Sequence, residues 1–301
     1  MADAVELDQV VKTFGRLRAL DALCLSVASG QVYGLLGPNG AGKTTTIRLL
    51  LDFLRPTSGS VLVLGVNPRI AGPGLHRRIG YVPGDFRVDG RQSSREFLTY
   101  VANMRGGIPA SRVAALAEQL GLRMDSPIST LSRGNRQKVA LVQAFMHEPE
   151  LLVLDEPTSG LDPFVQQEFR QLVREAAAEG RTVLMSSHVM GEVQQAADRV
   201  GIVRDGRLIV DQDVRELRER ATRRVEVVLA ADARIPSLDA VLGVSDVVVE
   251  GRTIRLRLDG AADGLVKALA STTVVTLTAE EPELEDVFFA AEGDRGDSSA
   301  A

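Results

Sequence analysis

Gly37-Pro38-Asn39-Gly40-Ala41-Gly42-Lys43-Thr44-Thr45 lies between the apolar run Val32-Tyr33-Gly34-Leu35-Leu36 and the helix-like Thr46-Ile47-Arg48-Leu49-Leu50-Leu51. The stretch fits G-x-x-x-x-G-K-[ST] with a strand before it and a helix after it, the context that pattern requires. Glycines let the backbone wrap closely enough for several N–H groups to point inward, and the following helix adds its positive N-terminal end, so the loop is an anion cradle. With Lys43 and Thr44 in register, the chemistry is that of a nucleoside triphosphate site: the lysine reaches the β and γ phosphates and the threonine hydroxyl binds the Mg²⁺ that bridges them.

Composition bounds the rest. A chain of 301 residues predicts about two domains, since domains commonly run ~100 to 200 residues. Hydrophobic residues make up 45%, enough for a sizeable core. The formal net charge of -5 argues against a chain that lives on nucleic acid, because such binders present a basic face. Aromatics at 4% and no tryptophan leave little for base-stacking platforms. The single cysteine, Cys24, sits in Ala22-Leu23-Cys24-Leu25, so a disulfide framework is excluded and a buried strand thiol in a reducing cytosol is expected. No apolar run approaches the ~18 residues of a spanning helix, and the acidic start Met1-Ala2-Asp3-Ala4-Val5-Glu6 is unlike a secretory signal. Any membrane role is expected to come through a partner.

Upstream of the loop, Val5 to Val11 and Leu23 to Val27 read as strands, with Phe14 on the connection between them. Taken alone, Phe14 is either a partly buried loop aromatic or a ring stacked on a nucleobase. Downstream, Pro56-Thr57-Ser58-Gly59 stops the first helix and Ser60 to Gly65 returns as a strand. Arg77 to Asp85 is a short strand opening into a loop, after which the periodicity turns helical. Ser93 with Glu96 predicts a capping box; Val113, Leu116, Ala117 and Leu120 recur at helical spacing; a third helix opens at Leu131-Ser132-Arg133-Gly134-Asn135-Arg136-Gln137. Leu151-Leu152-Val153-Leu154 is a strand buried on both faces of a parallel sheet, and it ends in Asp155-Glu156. Two carboxylates there are costly unless they meet a metal ion or an attacking water. Asp162-Pro163 starts a helix ended by Gly180, Thr182 to His188 is a buried strand with a polar end, and Asp205-Gly206 predicts a hairpin. The Arg/Glu-rich residues 214–224 read as a solvated linker helix. Beyond them, a β-α-β-β-α-β order with a short helix near Leu238 to Leu242 predicts a ferredoxin-like domain. The tail after Glu292 is expected to be disordered.

Phe14, the phosphate loop, Gly80-Tyr81-Val82-Pro83, Leu131-Ser132-Arg133-Gly134-Asn135, Asp155-Glu156-Pro157-Thr158-Ser159-Gly160-Leu161-Asp162 and Ser187-His188 stand in a fixed order. That series resembles the nucleotide-binding subunits of ATP-binding-cassette (ABC) transporters, over roughly Val5 to Val210. The resemblance implies an α/β P-loop NTPase fold: a mixed sheet core with a β-subdomain and an inserted helical subdomain at about 86–147, the whole ATPase domain covering 1–213. Residues 214–224 would be the linker, 225–291 an α+β accessory domain and 292–301 the tail. It implies ATP and Mg²⁺ as cofactors, held by Phe14 on adenine, by Gly37, Pro38, Asn39, Gly40, Ala41, Gly42, Lys43, Thr44 and Thr45 on the phosphates, and by Thr44 and Asp155 on the metal. Glu156 is implied as the general base, with His188 and Lys43 at the γ-phosphate. Ser132 and Gly134 would cap the γ-phosphate bound on the opposite subunit, a second copy or a homologous ATPase subunit, and Asp162 would link the two sites.

Two positions depart from the family's pattern. Arg133 stands where it usually has glycine, and Gly84 where it has a metal-binding, coupling glutamine. Asp85, one position on, is the expected substitute as metal or water ligand. Pro282-Glu283-Leu284-Glu285-Asp286-Val287-Phe288-Phe289 is similar to the ending of drug-resistance ATPase subunits whose partners are separate polytopic ABC-2 permeases; equally, it reads as an amphipathic helix docking on its own domain. The resemblance implies an exporter ATPase in the cytoplasm, peripheral on the inner face of the membrane through its permease. Two alternatives are a soluble regulatory ATPase acting on nucleic acid or ribosomes, and an importer subunit. The absence of a second cassette and the negative charge disfavour the first, and the ending at 282–289 disfavours the second.

Overall fold

The computed structural model describes residues 3–88, 91–220, 222–238 and 240–280, with the backbone alone for 218–220. It divides into two compact units, Met1–Gln212 and Asp213–Ala301.

The first unit opens with strands β1 (Asp3–Phe14), β2 (Leu17–Ala28) and β3 (Val32–Leu36), followed by helix α1 (Lys43–Leu50) and strand β4 (Ser58–Val63). Two short helices, α2 (Pro68–Ala71) and α3 (Pro73–Arg77), lead to β5 (Ile79–Val82). A helical insertion follows, made of α4 (Ser94–Met104), α5 (Ala110–Gln119) and α6 (Arg133–Phe145). The chain then alternates through β6 (Leu151–Asp155), α7 (Pro163–Ala178), β7 (Thr182–Ser187), α8 (Met190–Ala196), β8 (Arg199–Arg204) and β9 (Arg207–Asp213).

Two sheets result: a three-stranded antiparallel one ordered β2-β1-β4 and a six-stranded one ordered β5-β6-β7-β3-β8-β9. Strands β5, β6, β7, β3 and β8 run parallel, and every residue of β3, β6 and β7 is buried, as unbroken apolar runs require. Leu20, Leu25 and Val61 of the small sheet share a buried cluster with Ile47 and Leu50 of α1 and with Leu35, Val153 and Leu184 of the large sheet. Each such side chain contributes ~1.5–3 kcal/mol of transfer free energy, so α1 is clamped between the sheets and the loop before it cannot wander. Register brings Leu36 level with Ser187 and Asp155 level with Ser186. The carboxyl ends of β3, β6 and β7 therefore open on one edge, the place where parallel sheets bind ligands.

The capping box of α4 forms as expected, Ser93 and Glu96 bonding reciprocally. The first hairpin is longer than the apolar runs implied. Its second strand begins at Leu17, and Phe14 is the last residue of β1, paired with Leu17, rather than a loop residue. Cys24 corrects the expectation of a buried thiol. Strand side chains alternate faces, and with Leu23 and Leu25 turned into the core Cys24 is exposed, its Sγ accepting from Gln9 Nε2 at 3.0 Å.

The second unit contains α9 (Val214–Arg220), β10 (Arg223–Leu229), β11 (Val244–Glu250), β12 (Thr253–Leu258), α10 (Asp263–Leu269) and β13 (Val274–Glu280). Its antiparallel sheet, ordered β11-β12-β10-β13, has the split arrangement of a ferredoxin-like domain. The helix expected near Leu238 to Leu242 does not form among the described residues: turns closed by Val241 N–H to Leu238 C=O and Val244 N–H to Val241 C=O stand there instead. Pro236 and Gly243 leave fewer than two turns between them, too few to offset nucleation, while Leu238 still reaches the core. Helix α9 buries Val214 and Leu217, so it is not wholly solvated. The 282–289 ending and the tail lie outside the described residues.

Candidate functional site

The phosphate loop is held by contacts that no side chain could share. Gly37 has φ 154°, and an added Cβ would stand 2.2 Å from the Val203 carbonyl oxygen, so the loop needs glycine where it leaves β3. Lys43, the first residue of α1, is 6% exposed. Its ammonium donates to Gly37 O at 2.6 Å and Pro38 O at 3.3 Å. It thus bends back over the loop it follows, with its charge at the mouth of the helix.

Opposite it, Glu156 follows the last residue of β6 with φ 48°, a left-handed conformation uncommon outside glycine and concentrated at functional sites. Its Oε1 is 3.5 Å from Lys43 Nζ and its Oε2 2.7 Å from His188 Nδ1. Asp155 is 3% exposed and accepts at Oδ1 from the Thr44 hydroxyl at 3.2 Å and the Ser186 hydroxyl at 2.7 Å. Ser186 Oγ in turn accepts from the Glu156 backbone N–H at 3.0 Å. Thr44 and Asp155 offer hard oxygen donors side by side beside a phosphate cradle, the set Mg²⁺ takes together with substrate phosphates and waters. Bound there, the ion would neutralise charge developing on the β and γ phosphates.

These groups surround a cavity of about 510 Å³ lined by Pro38 to Thr45 together with Gly84, Arg133, Glu156, Ser159 and His188. The structure thus brings together the phosphate loop, the carboxylate pair and the histidine. Several residues named from the sequence stand elsewhere. Phe14 is 45% exposed at the end of β1, with Lys12 Nζ 5.0 Å from its ring centroid, and it does not line the cavity. Nor do Ser132 and Gly134. The Ser132 side chain caps α6 by accepting from Asn135 N–H at 3.3 Å, and a Cβ on Gly134 would stand 2.3 Å from Gly160 O. The close approach pins the start of α6 to the loop after β6. Asp162 caps α7, accepting from Val165 N–H at 3.0 Å.

Asp85 is not brought to the metal donors. Its carboxylate is exposed and paired with Arg87 at 2.7 Å, whose guanidinium holds it below the usual carboxylate range. A side chain on Gly84 would have faced Asp155, with its Cβ 3.4 Å from Oδ2; one residue further on, the chain faces Arg87, Arg133 and Arg136 across a second cavity of about 430 Å³. A neighbour in sequence does not replace a neighbour in space.

Sequence reasoning missed Ser186 and Gln137. The register of Asp155 with Ser186 across β6 and β7 was hidden within the polar end of a strand. Gln137 is 4% exposed and donates to Pro157 O at 3.0 Å, tying α6 to the loop after β6. Burial of a glutamine on an amphipathic helix carries no local signal.

A family model described as "ABC transporter" matches residues 20–159. The chain is 32% identical over 299 residues to the bacitracin transport ATP-binding protein BcrA of Enterococcus faecalis, covering 96% of each chain. It is 33% identical over 310 residues to the daunorubicin/doxorubicin resistance ATP-binding protein DrrA of Streptomyces peucetius, covering 98% of this chain and 94% of that one. Among solved structures, it is similar to an ATP-binding subunit of an ABC transporter, at 27% identity and TM-score 0.66, over 71% of this chain and 92% of that one.

Proposed function

Because this chain belongs to the ABC transporter family as one of its ATPases, we propose that it powers an exporter, pairing with a second ATPase subunit around two ATP and driving a separate membrane permease of the ABC-2 class. The observation that carries the reading is the Glu156 carboxylate held between Lys43 and His188 in the cavity of the phosphate loop. A carboxylate so placed accepts a proton from water aimed at a γ-phosphate seated against Lys43. His188 orients that carboxylate and, once ATP is seated, donates to the γ-phosphate. Thr44 and Asp155 would hold Mg²⁺. Phe14 offers an exposed face for adenine. Ser132 and Gly134 do not line their own cavity, as residues that cap the partner's ATP from the start of α6 would not. Asp85 has no place in this scheme in the conformation described.

Proteins named for bacitracin transport and daunorubicin resistance, matched over nearly the whole chain, support export over the alternatives. Among the described residues no helix is long and apolar enough to cross a membrane, so the path for substrate would lie in the permease. The test is co-expression with an ABC-2 permease. Increased tolerance of the host to a peptide antibiotic or an anthracycline, lost on Glu156→Gln, is the expected result. Copurification with ribosomes or nucleic acid in place of a polytopic membrane protein would overturn it.

A further inference from the structure

We propose that Glu192 is a positioning residue for hydrolysis: its carboxylate sets the spacing between the loop that carries Glu156 and the strand end that carries His188. This role rests on the functions given to those two residues above. One oxygen, Glu192 Oε2, accepts from the Thr158 hydroxyl at 2.6 Å and from the Ser187 hydroxyl at 3.0 Å. Thr158 lies two residues past Glu156 on the loop after β6, and Ser187 directly precedes His188 at the end of β7. Both are buried, Thr158 at 5% and Ser187 at 0% exposure, so neither hydroxyl has water as a ready alternative and loss of its acceptor is costly. The Ser187 hydroxyl has one other acceptor in reach, Val189 O at 3.3 Å. It also accepts from Val189 N–H at 3.0 Å, closing a side-chain turn around His188.

Glu192 can brace both loops because its helix is seated on the strand that leads into the phosphate loop. It is the third residue of α8. The next residue, Val193, is fully buried and occupies the space beside Gly34 of β3, where an added Cβ would stand 1.9 Å from Val193 Cγ1. Just past the helix, Asp198 N–H donates to Val32 O at 2.9 Å and Asp198 Oδ2 accepts from Val32 N–H at 3.0 Å. Glycine at 34 and valine at 193 thus fix α8 against β3, and the carboxylate with it. Thr158, Ser187 and Glu192 do not line the phosphate-loop cavity, so Glu192 acts on the site only through its neighbours. What it acts on is the 2.7 Å contact between His188 Nδ1 and Glu156 Oε2, which joins residues from two strand ends. Glu156 also holds φ 48°, a conformation that persists only where its surroundings over-determine it. The Thr158 bond to Glu192 is one of those constraints, and small misplacements of reacting groups are felt in rate.

A residue that spaces the base and the histidine alters turnover and leaves nucleotide binding alone. The experiment measures kcat for hydrolysis of ATP with Mg²⁺ by the full chain. Calorimetry gives its affinity for ADP and for a non-hydrolysable β,γ-imido ATP analogue, each with Mg²⁺. Glu192→Ala is expected to lower kcat about tenfold, the order of one lost hydrogen bond, with both affinities within about twofold of wild type; unchanged ADP binding also reports an intact fold. Glu192→Gln, which keeps an acceptor oxygen at the same reach, is expected to recover most of the rate. Thr158→Val removes one of the two donors and is expected to show the same split at about threefold, and it serves where the Ala variant does not fold. Wild-type kcat in the folded variant, a parallel loss of kcat and affinity, or Glu192→Gln no faster than Glu192→Ala overturns the proposal. Wild-type turnover in Glu156→Gln overturns instead the assignment of the base on which it rests, an outcome distinct from these.

Discussion

His188 Nδ1 lies 2.7 Å from Glu156 Oε2 while Lys43 Nζ lies 3.5 Å from Oε1 of the same carboxylate. One acid is thereby gripped from both sides by residues that arrive from β7 and α1. In the proposed mechanism an incoming γ-phosphate would compete with this carboxylate for Lys43 and leave the acid free to take a proton.

Glu156→Gln keeps the shape and removes the basic oxygen. It is expected to bind ATP, to lose at least about a hundredfold in turnover as a general base does, and to elute as an ATP-dependent dimer. Steady-state phosphate release and size-exclusion chromatography with ATP measure both; brisk hydrolysis would show that the base lies elsewhere.

Ser186 joins two strand ends, donating to Asp155 Oδ1 and accepting from Glu156 N–H with its hydroxyl fully buried. Ser186→Ala leaves that N–H without its partner, a cost of ~1–3 kcal/mol. A lower melting temperature together with a higher Mg²⁺ requirement is expected, because the same hydroxyl steadies the carboxylate proposed to hold the metal. Thermal melts and Mg²⁺ titrations of ATPase rate check the two effects separately.

Gly84→Gln restores the family's side chain. The nearest atom to an added Cβ is Asp155 Oδ2 at 3.4 Å, so the cavity admits it, and removing a glycine from the unfolded chain favours the fold by ~0.4–1 kcal/mol. Stability at or slightly above wild type is expected, with a shifted Mg²⁺ dependence of hydrolysis. A collapse in melting temperature would mean that the cavity beside Asp155 is closed in solution.

His147 sets a pH limit on the cassette. Its Nε2 lies 2.7 Å from the Arg105 guanidinium, which can only donate, and 3.1 Å from the Ile79 carbonyl oxygen, which can only accept; the Arg105 contact suits the neutral ring. Burial, then the Arg105 charge, pushes the imidazole from its ordinary 6.5 down to about 4. The unfolded state therefore binds the extra proton between those two values, and stability present above pH 6.5 is lost as pH falls toward 4. His147→Gln, which can still accept from Arg105, is expected to flatten that decline, by on the order of 2 kcal/mol. Urea unfolding followed by circular dichroism across this range measures it; parallel wild-type and variant curves would assign the acid sensitivity to other groups.

Chemistry carried by neighbours in the chain was legible before folding. Lys43 and Thr44 after a run of glycines, and Asp155-Glu156 closing an apolar strand, point to phosphate, metal and base because those residue types are costly or pointless in such places otherwise. Alternation of apolar runs and helical periodicity likewise predicted the parallel sheet and its helical insertion. Relations across space were not legible. That Ser186 sits level with Asp155, that Arg133 lines the cavity while Ser132 and Gly134 do not, that Cys24 faces solvent and that Asp85 is claimed by Arg87 all depend on strand register, face and helix start. A shift of one residue reverses a strand face and swings a helix position by about 100°. No local pattern in the sequence distinguishes the two outcomes, and only the packing of α6 and the sheets against their neighbours selects between them.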